Sequence, residues 1–248
     1  MAAQSSQQKI TFMREGGHIL AQIRDQLAVY AQVGMSFAEI ESEAQRLIKA
    51  SGAKPSFSTV PGYHWATCIM KNDGLCHGIP NDTLIEDGDV VTVDVGLIYG
   101  GYHLDTTTTF IVGTVASEKK RFLELGQKAL NKAIGKVYAG QSVYNVSLAM
   151  EKVLVENDLG IVYQLTGHGV GEQLHMDPAI PCIAQKGDKK VFLHEGQTIA
   201  VEVMYTAGEP DLKVDRDGWT YRTVDGSLSG MFEETVLVTK NGFEILTK

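Results

Sequence analysis

The chain has 248 residues, 44% hydrophobic and 21% charged, the make-up of a soluble globular protein with a sizeable core. Its net charge of −8 argues against general binding to DNA or RNA, which calls for a basic face. Three cysteines, Cys68, Cys76 and Cys182, cannot make a disulfide framework, and neither a signal peptide nor a membrane-spanning apolar run is present, so a cytoplasmic protein is expected.

Thr11 to Tyr30 reads as an amphipathic helix, with Ile19, Leu20, Ile23 and Leu27 on one face. Ser36 and Glu39 form a capping box that opens a second helix to about Ala50. Residues 51–87 are rich in loops and short strands. Val90 to Ile98 and His103 to Val112 read as strands joined by a turn at Tyr99–Tyr102. The order then repeats. A helix spans Ser117 to Val137, Gly140-Gln141-Ser142 restarts a helix as Gly34-Met35-Ser36 did, and a strand at Ile161 to Leu165 leads to His168-Gly169, echoing His77-Gly78. Strands around Glu202 and Glu233 then echo those around Asp94 and Asp105. This pattern implies an α+β fold of two pseudo-symmetric halves, about 10–115 and 116–248, forming a single domain over 1–248 with a site at their junction.

The first hairpin makes a geometric prediction. A two-residue Gly100-Gly101 turn pairs Tyr99 with Tyr102, Gly96 with Asp105 and Asp94 with Thr107. Asp94 and Asp105 then share a face as diagonal neighbours, roughly 7–8 Å apart at the backbone. Either aspartate alone reads better as a solvent-facing or turn-capping residue. Their shared face between Val91, Val93, Val95 and Leu97 favours an inward pair. Glu202 lies in the apolar run Ile199 to Met204, where an unpaired charge is costly. Glu233 and Glu234 adjoin in a strand, so one faces in and one out. Four inward carboxylates with one histidine suggest a site for hard divalent metals, with room for more than one ion.

The bland reading of His168 is a turn histidine in a glycine-rich loop. Gly167-His168-Gly169-Val170-Gly171 is not the dinucleotide spacing, and Pro178 and Pro181 interrupt the helix that motif must open. Cys68 with Cys76-His77 makes at most half of a zinc site. Lys119-Lys120-Arg121 and the Lys186 to Lys190 segment read as solvated surface.

Cys76-His77-Gly78-Ile79-Pro80, the Asp94–Asp105 spacing, the Gly-His-Gly loop with His175, Glu202, Phe232-Glu233 and Asp217-Gly218-Trp219-Thr220 together resemble type I methionine aminopeptidases. The resemblance runs from Met13-Arg14 to the end of the chain. It implies the pita-bread fold, a curved antiparallel sheet between the two halves. It implies two divalent metal ions, Co, Mn, Fe or Zn, held by Asp94, Asp105, His168, Glu202 and Glu233, with Asp105 and Glu233 bridging. His77 and His175 would be catalytic without being ligands. Tyr63, Cys68, Leu174 and Trp219 would line the pocket for the methionine side chain. The sequence departs from the family's pattern at Pro61, Met176, Val203 and Glu234, where the family has histidine, glutamate, proline and histidine.

The implied reaction is hydrolysis that removes the N-terminal methionine from nascent chains, preferring a small second residue. Glu202 would carry the proton to the leaving nitrogen, His175 would donate to the oxyanion and His77 would orient the leaving amide. Expected partners are the N-terminal methionine of peptides and nascent chains, with transient ribosome contact through Lys119, Lys120, Arg121, Lys189 or Lys190. DNA and membrane are not expected, and the protein should be a monomer. Two alternatives stand beside this reading. One is an Xaa-Pro or broader aminopeptidase on the same fold, which normally carries an extra N-terminal domain. The other is a non-catalytic binding module, which would lack the metal ligands.

Overall fold

The computed structural model describes the backbone of residues 2–248 and side chains from Gln7 onward. The first part runs α1 (Ala2–Tyr30), α2 (Phe37–Ala50), β1 (Lys54–Pro55), β2 (Thr67–Lys71), β3 (Gly74–Cys76), β4 (Val90–Tyr99) and β5 (Tyr102–Ile111). The second runs α3 (Ser117–Ile134), α4 (Val143–Val155), β6 (Gly160–Ile161), β7 (Thr166–Gly169), β8 (Met176–Pro181), β9 (Thr198–Thr206), β10 (Leu212–Val214), β11 (Tyr221–Thr223), β12 (Ser229–Thr239) and β13 (Gly242–Ile245).

Gly100 and Gly101 take φ values of 57° and 90°, the left-handed pair that closes a two-residue hairpin with native twist. The expected register follows: Tyr99 opposes Tyr102, Gly96 opposes Asp105 and Asp94 opposes Thr107. The main antiparallel sheet runs β1-β4-β5-β12-β9-β7-β8, with β2 beside β4, β13 beside β12 and β6 beside β9. Strands β10, β11 and β3 form a separate three-stranded sheet.

The sheet alternates as period two requires. Val91, Val93, Val95, Leu97 and Leu104 pack with Leu20, Leu27, Ile40 and Ile48 of α1 and α2 in one core. Ile199, Val201, Val203, Tyr205, Phe232 and Val236 pack with Phe122, Leu130, Val146 and Met150 of α3 and α4 in another. The residues between them point away from the helices, into the concave side of the sheet. A third apolar cluster, Phe57, Tyr63, Cys68, Met70 and Leu174, forms separately from the two helix-covered cores.

The two parts repeat in backbone detail. Gly34 donates to Ile85 and Gly140 to Leu193, both at 2.8 Å. Gly88 donates to Val112 at 2.8 Å, as Gly196 does to Val238 at 2.9 Å. Gly88 and Gly196 have φ of 83° and 82°, and each lies six residues before an inward acid, Asp94 and Glu202. The capping box at Ser36 forms with both reciprocal bonds, whereas Ser142 caps α4 without a side-chain bond.

Three elements differ from expectation by more than a residue at a boundary. Helix α1 begins at Ala2 rather than Thr11, because good helix formers extend it beyond the apolar stripe. Helix α3 stops at Ile134, with Gly135 as its C-cap. The strand expected over Ile161 to Leu165 is broken: β6 pairs with β9 only at Gly160 and Ile161, and β7 starts at Thr166. Between them Tyr163 is exposed and donates to Asp211.

Candidate metal centre and substrate pocket

The concave side of the sheet holds a cavity of about 310 Å³. Asp94 from β4, Asp105 from β5, His168 from β7, Glu202 from β9 and Glu233 from β12 all line it. Glu202 and Glu233 are direct cross-strand partners, and both side chains face inward. The adjacent acid, Glu234, faces the other way and meets Arg24 of α1 at 3.0 Å.

Ligand atoms of Asp105, His168 and Glu233 lie within 4.8 Å of one another. Glu202 Oε1 is 4.0 Å from His168 Nε2, so it borders the same group. His168 Nδ1 lies 2.9 Å from the Gly169 carbonyl. Donating that proton leaves the Nε2 lone pair facing the carboxylates, the tautomer a metal needs. Thr107 donates to Glu233 Oε2 at 2.8 Å and fixes that carboxylate's rotation.

The electrostatics are unfavourable without a cation. All four acids are at least 95% buried, and no lysine or arginine lines the cavity among the described residues. Burial pushes the carboxyls of Asp105, Glu202 and Glu233 well above the usual carboxylate range, and mutual repulsion adds to it. Asp94 is also raised by burial. Burial lowers His168 to about 4. Asp94 Oδ1 and Asp105 Oδ1 are buried with no hydrogen-bond partner. Like charges directly opposite in a ladder, as at Glu202 and Glu233, destabilise it. An oxygen-rich donor set with one imidazole and orphaned carboxylate oxygens fits divalent metal ions.

His77, just after β3, and His175, just before β8, also line the cavity. His77 has φ 57°, a left-handed conformation uncommon outside glycine, which typically costs about 1–3 kcal/mol. Met70 and Tyr63 hold the turn: Gly78 N–H donates to Met70 Sδ at 3.1 Å, and the Tyr63 hydroxyl lies 3.0 Å from Gly78 O. His175 packs edge-on against His168 with ring centroids 4.5 Å apart. Desolvation lowers both His77 and His175, so both are neutral N–H donors at pH 7.

Beside the carboxylates, Tyr63, Cys68, Leu174 and Trp219 line an apolar recess of the cavity. Tyr63 and Trp219 meet edge to face at 5.2 Å. Cys68 is the direct cross-strand partner of Asp94, which ties the recess to the acidic floor. Phe57, Val60, Cys76, Gln164, Leu165, Thr166, Met204 and Met231 also line the cavity. Sequence reasoning missed these. Met204 and Met231 each stand two residues from an inward glutamate, so the strand period alone places them on the same face. Phe57 carries no such signal, since it reaches the site by packing on Gly96, where a Cβ would lie 2.6 Å from its ring.

Residues 11–240 match the model of metallopeptidase family M24. The chain belongs to that family. Methionine aminopeptidase 1 of Bacillus subtilis is 35% identical to this M24 member, over 97% of this chain and 96% of the relative. The crystal structure of methionine aminopeptidase from Thermotoga maritima superposes with a TM-score of 0.94 at 34% identity, covering 97% of both chains. The prolidase of Pyrococcus horikoshii shares the fold, with a TM-score of 0.79 at 24% identity, but this M24 chain covers only 62% of it. The architecture is therefore the α+β pita-bread fold, and its full-length likeness is to the methionine aminopeptidases rather than to the longer prolidase.

Proposed function

We infer that this chain is a methionyl aminopeptidase, a hydrolase that removes the N-terminal methionine from peptides and nascent proteins. The observation that carries the site reading is the convergence of four buried carboxylates and one histidine on a single cavity beside an apolar recess. We propose that Asp94, Asp105, His168, Glu202 and Glu233 hold two divalent ions, with Asp105 and Glu233 shared between them. Bound there, Mn, Fe, Co or Zn would supply Lewis acidity and a water of lowered pKa.

The chain's own groups do the rest. Glu202 takes the proton of the attacking water on its carboxylate and gives it to the leaving nitrogen. His175 donates an N–H to the carbonyl oxygen as negative charge develops there. His77, held rigidly by its left-handed backbone, orients the leaving amide. Tyr63, Cys68, Leu174 and Trp219 receive the methionine side chain, whose polarisable sulfur suits aromatic and thiol neighbours. His77 and His175 flank the path of the second residue, and we propose that this limits it to small side chains.

We propose a single catalytic domain that works as a monomer in the cytoplasm, where its three free, buried cysteines stay reduced. Transient ribosome docking would use the basic surface around Lys119, Lys120, Arg121, Lys189 and Lys190. Lys119 donates to Gly88 O, Lys189 sits over the Tyr144 ring and Lys120 lies 3.9 Å from Glu124, so Arg121 and Lys190 are the foremost candidates for contact. Salt-sensitive co-sedimentation with ribosomes tests this.

The specificity assay compares Met-Ala-Ser, Met-Lys-Ser and Ala-Pro peptides. Rapid release of methionine from the first alone is expected. Equal rates on the first two would show that Pro61, Met176 and Val203 open the site to larger second residues. Preference for Ala-Pro would favour an Xaa-Pro peptidase.

A further inference from the structure

Strands β5 and β12 carry the two acids proposed to be shared by both metals, and they form the seam where the two parts of the sheet meet. Their backbone ladder contains one register pair, Glu233 opposite Thr107. Threonine hydroxyls close the rest of the seam. Thr106 donates to Glu233 O at 2.8 Å, Thr235 to Asp105 O at 2.7 Å and Thr109 to Met231 O at 2.6 Å. Asp105 N–H in turn donates to Thr235 Oγ1 at 3.1 Å. A seam held by side chains is easier to open than a full ladder, and its width sets how far apart Asp105 and Glu233 stand.

Arg24 of α1 lies behind this seam, on the face opposite the cavity. Its Nη1 is 3.0 Å from Thr106 Oγ1, 3.0 and 3.1 Å from the two Glu234 oxygens and 3.2 Å from Thr247 O. Thr247 also donates to Glu234 and accepts from Thr235 N–H at 3.0 Å. One guanidinium therefore ties both strands and the C-terminal segment together. The Arg24 and Glu234 side chains are only 12% and 18% exposed. A buried ion pair is weak evidence for stability, since apolar residues of similar size often do as well. This one touches Thr106, which bonds to Glu233 O, and reaches Thr235, the partner of Asp105, through Thr247, which points to alignment.

We propose that Arg24 and Glu234 are positioning residues that set the spacing of Asp105 and Glu233, and hence the affinity for the metal pair, through Thr106 and Thr235. The proposal rests on the metal-centre reading above. Its test uses the metal-stripped full chain and Mn²⁺ alone, read by calorimetric titration and by the exchange-coupled electron paramagnetic resonance signal of a manganese pair. The key variant is the double substitution Arg24→Met with Glu234→Leu, which removes the charges but fills the volume. The expected result is a melting temperature near that of the wild type with Mn²⁺ affinity lowered about 10-fold or more and the coupled signal altered, the size typical of lost outer-shell support. Thr106→Val, which is isosteric and breaks only the link from Arg24 to Glu233 O, should lower affinity in the same direction. Wild-type Mn²⁺ affinity and an unchanged coupled signal in both variants would overturn the proposal while leaving the metal centre standing. A wild-type protein that takes up no Mn²⁺ would overturn the metal centre and this proposal together.

Discussion

Asp105 and Glu233 are the residues on which the dinuclear reading depends most. Replacing either with alanine should release metal and lower kcat/KM by more than about 100-fold, roughly 2.7 kcal/mol of transition-state stabilisation. Near-normal turnover with metal retained in either variant would remove the shared-ligand assignment. His175 is neutral at pH 7 and borders His168 without belonging to the closest ligand cluster. Its alanine variant should keep its metals and lose kcat by about 100-fold or more with little change in KM. A variant altered only in KM would make His175 a ground-state binding group.

At the scale of elements, a hidden acid ties α2 to the pocket. Glu41 is 96% buried and accepts from Ala66 N–H at 2.8 Å, Thr67 N–H at 3.0 Å and the Thr67 hydroxyl at 2.5 Å. Glu41→Ala would orphan the two N–H groups at the start of β2, the strand that carries Cys68. A loss of roughly 2–4 kcal/mol is expected in chemical denaturation, with KM raised more than kcat is lowered. Unchanged stability would mean that water replaces the carboxylate. How much of the site was legible depends on which contacts are local. The Asp94–Asp105 geometry could be read because a Gly-Gly turn admits one register. The direct opposition of Glu202 and Glu233 could not, because β9 and β12 are joined through a second small sheet rather than by a tight turn. Choosing between Glu233 and Glu234 needed their distant partners: Thr107 of the neighbouring strand takes one and Arg24 of α1 the other. Phe57, in a single 3-10 turn, and Gln164, in a loop, have no periodicity to betray them.

For the whole molecule, the buried acids make stability depend on pH and metal together. Asp94, Asp105, Glu202 and Glu233 all have raised folded-state values. Their contribution to the metal-free fold is complete below the ordinary carboxylate range near pH ~4 and is lost as pH rises through the raised values. His168 has the opposite sign: depressed from 6.5 to about 4, it contributes above 6.5 and is lost as pH falls through about 4. Four acids outweigh one imidazole, so the metal-free protein should lose stability from pH 5 to pH 8. Divalent cations displace those protons, so the rise in melting temperature on adding Mn²⁺ should be larger at pH 8 than at pH 5. A rise independent of pH would place the bound metal away from these acids.

The most direct test of the account is methionine release from Met-Ala-Ser by chelator-stripped protein, before and after a divalent metal is restored. No release is expected from the stripped protein, with recovery on adding Mn, Fe, Co or Zn. Release at the same rate with the chelator still in excess would contradict it.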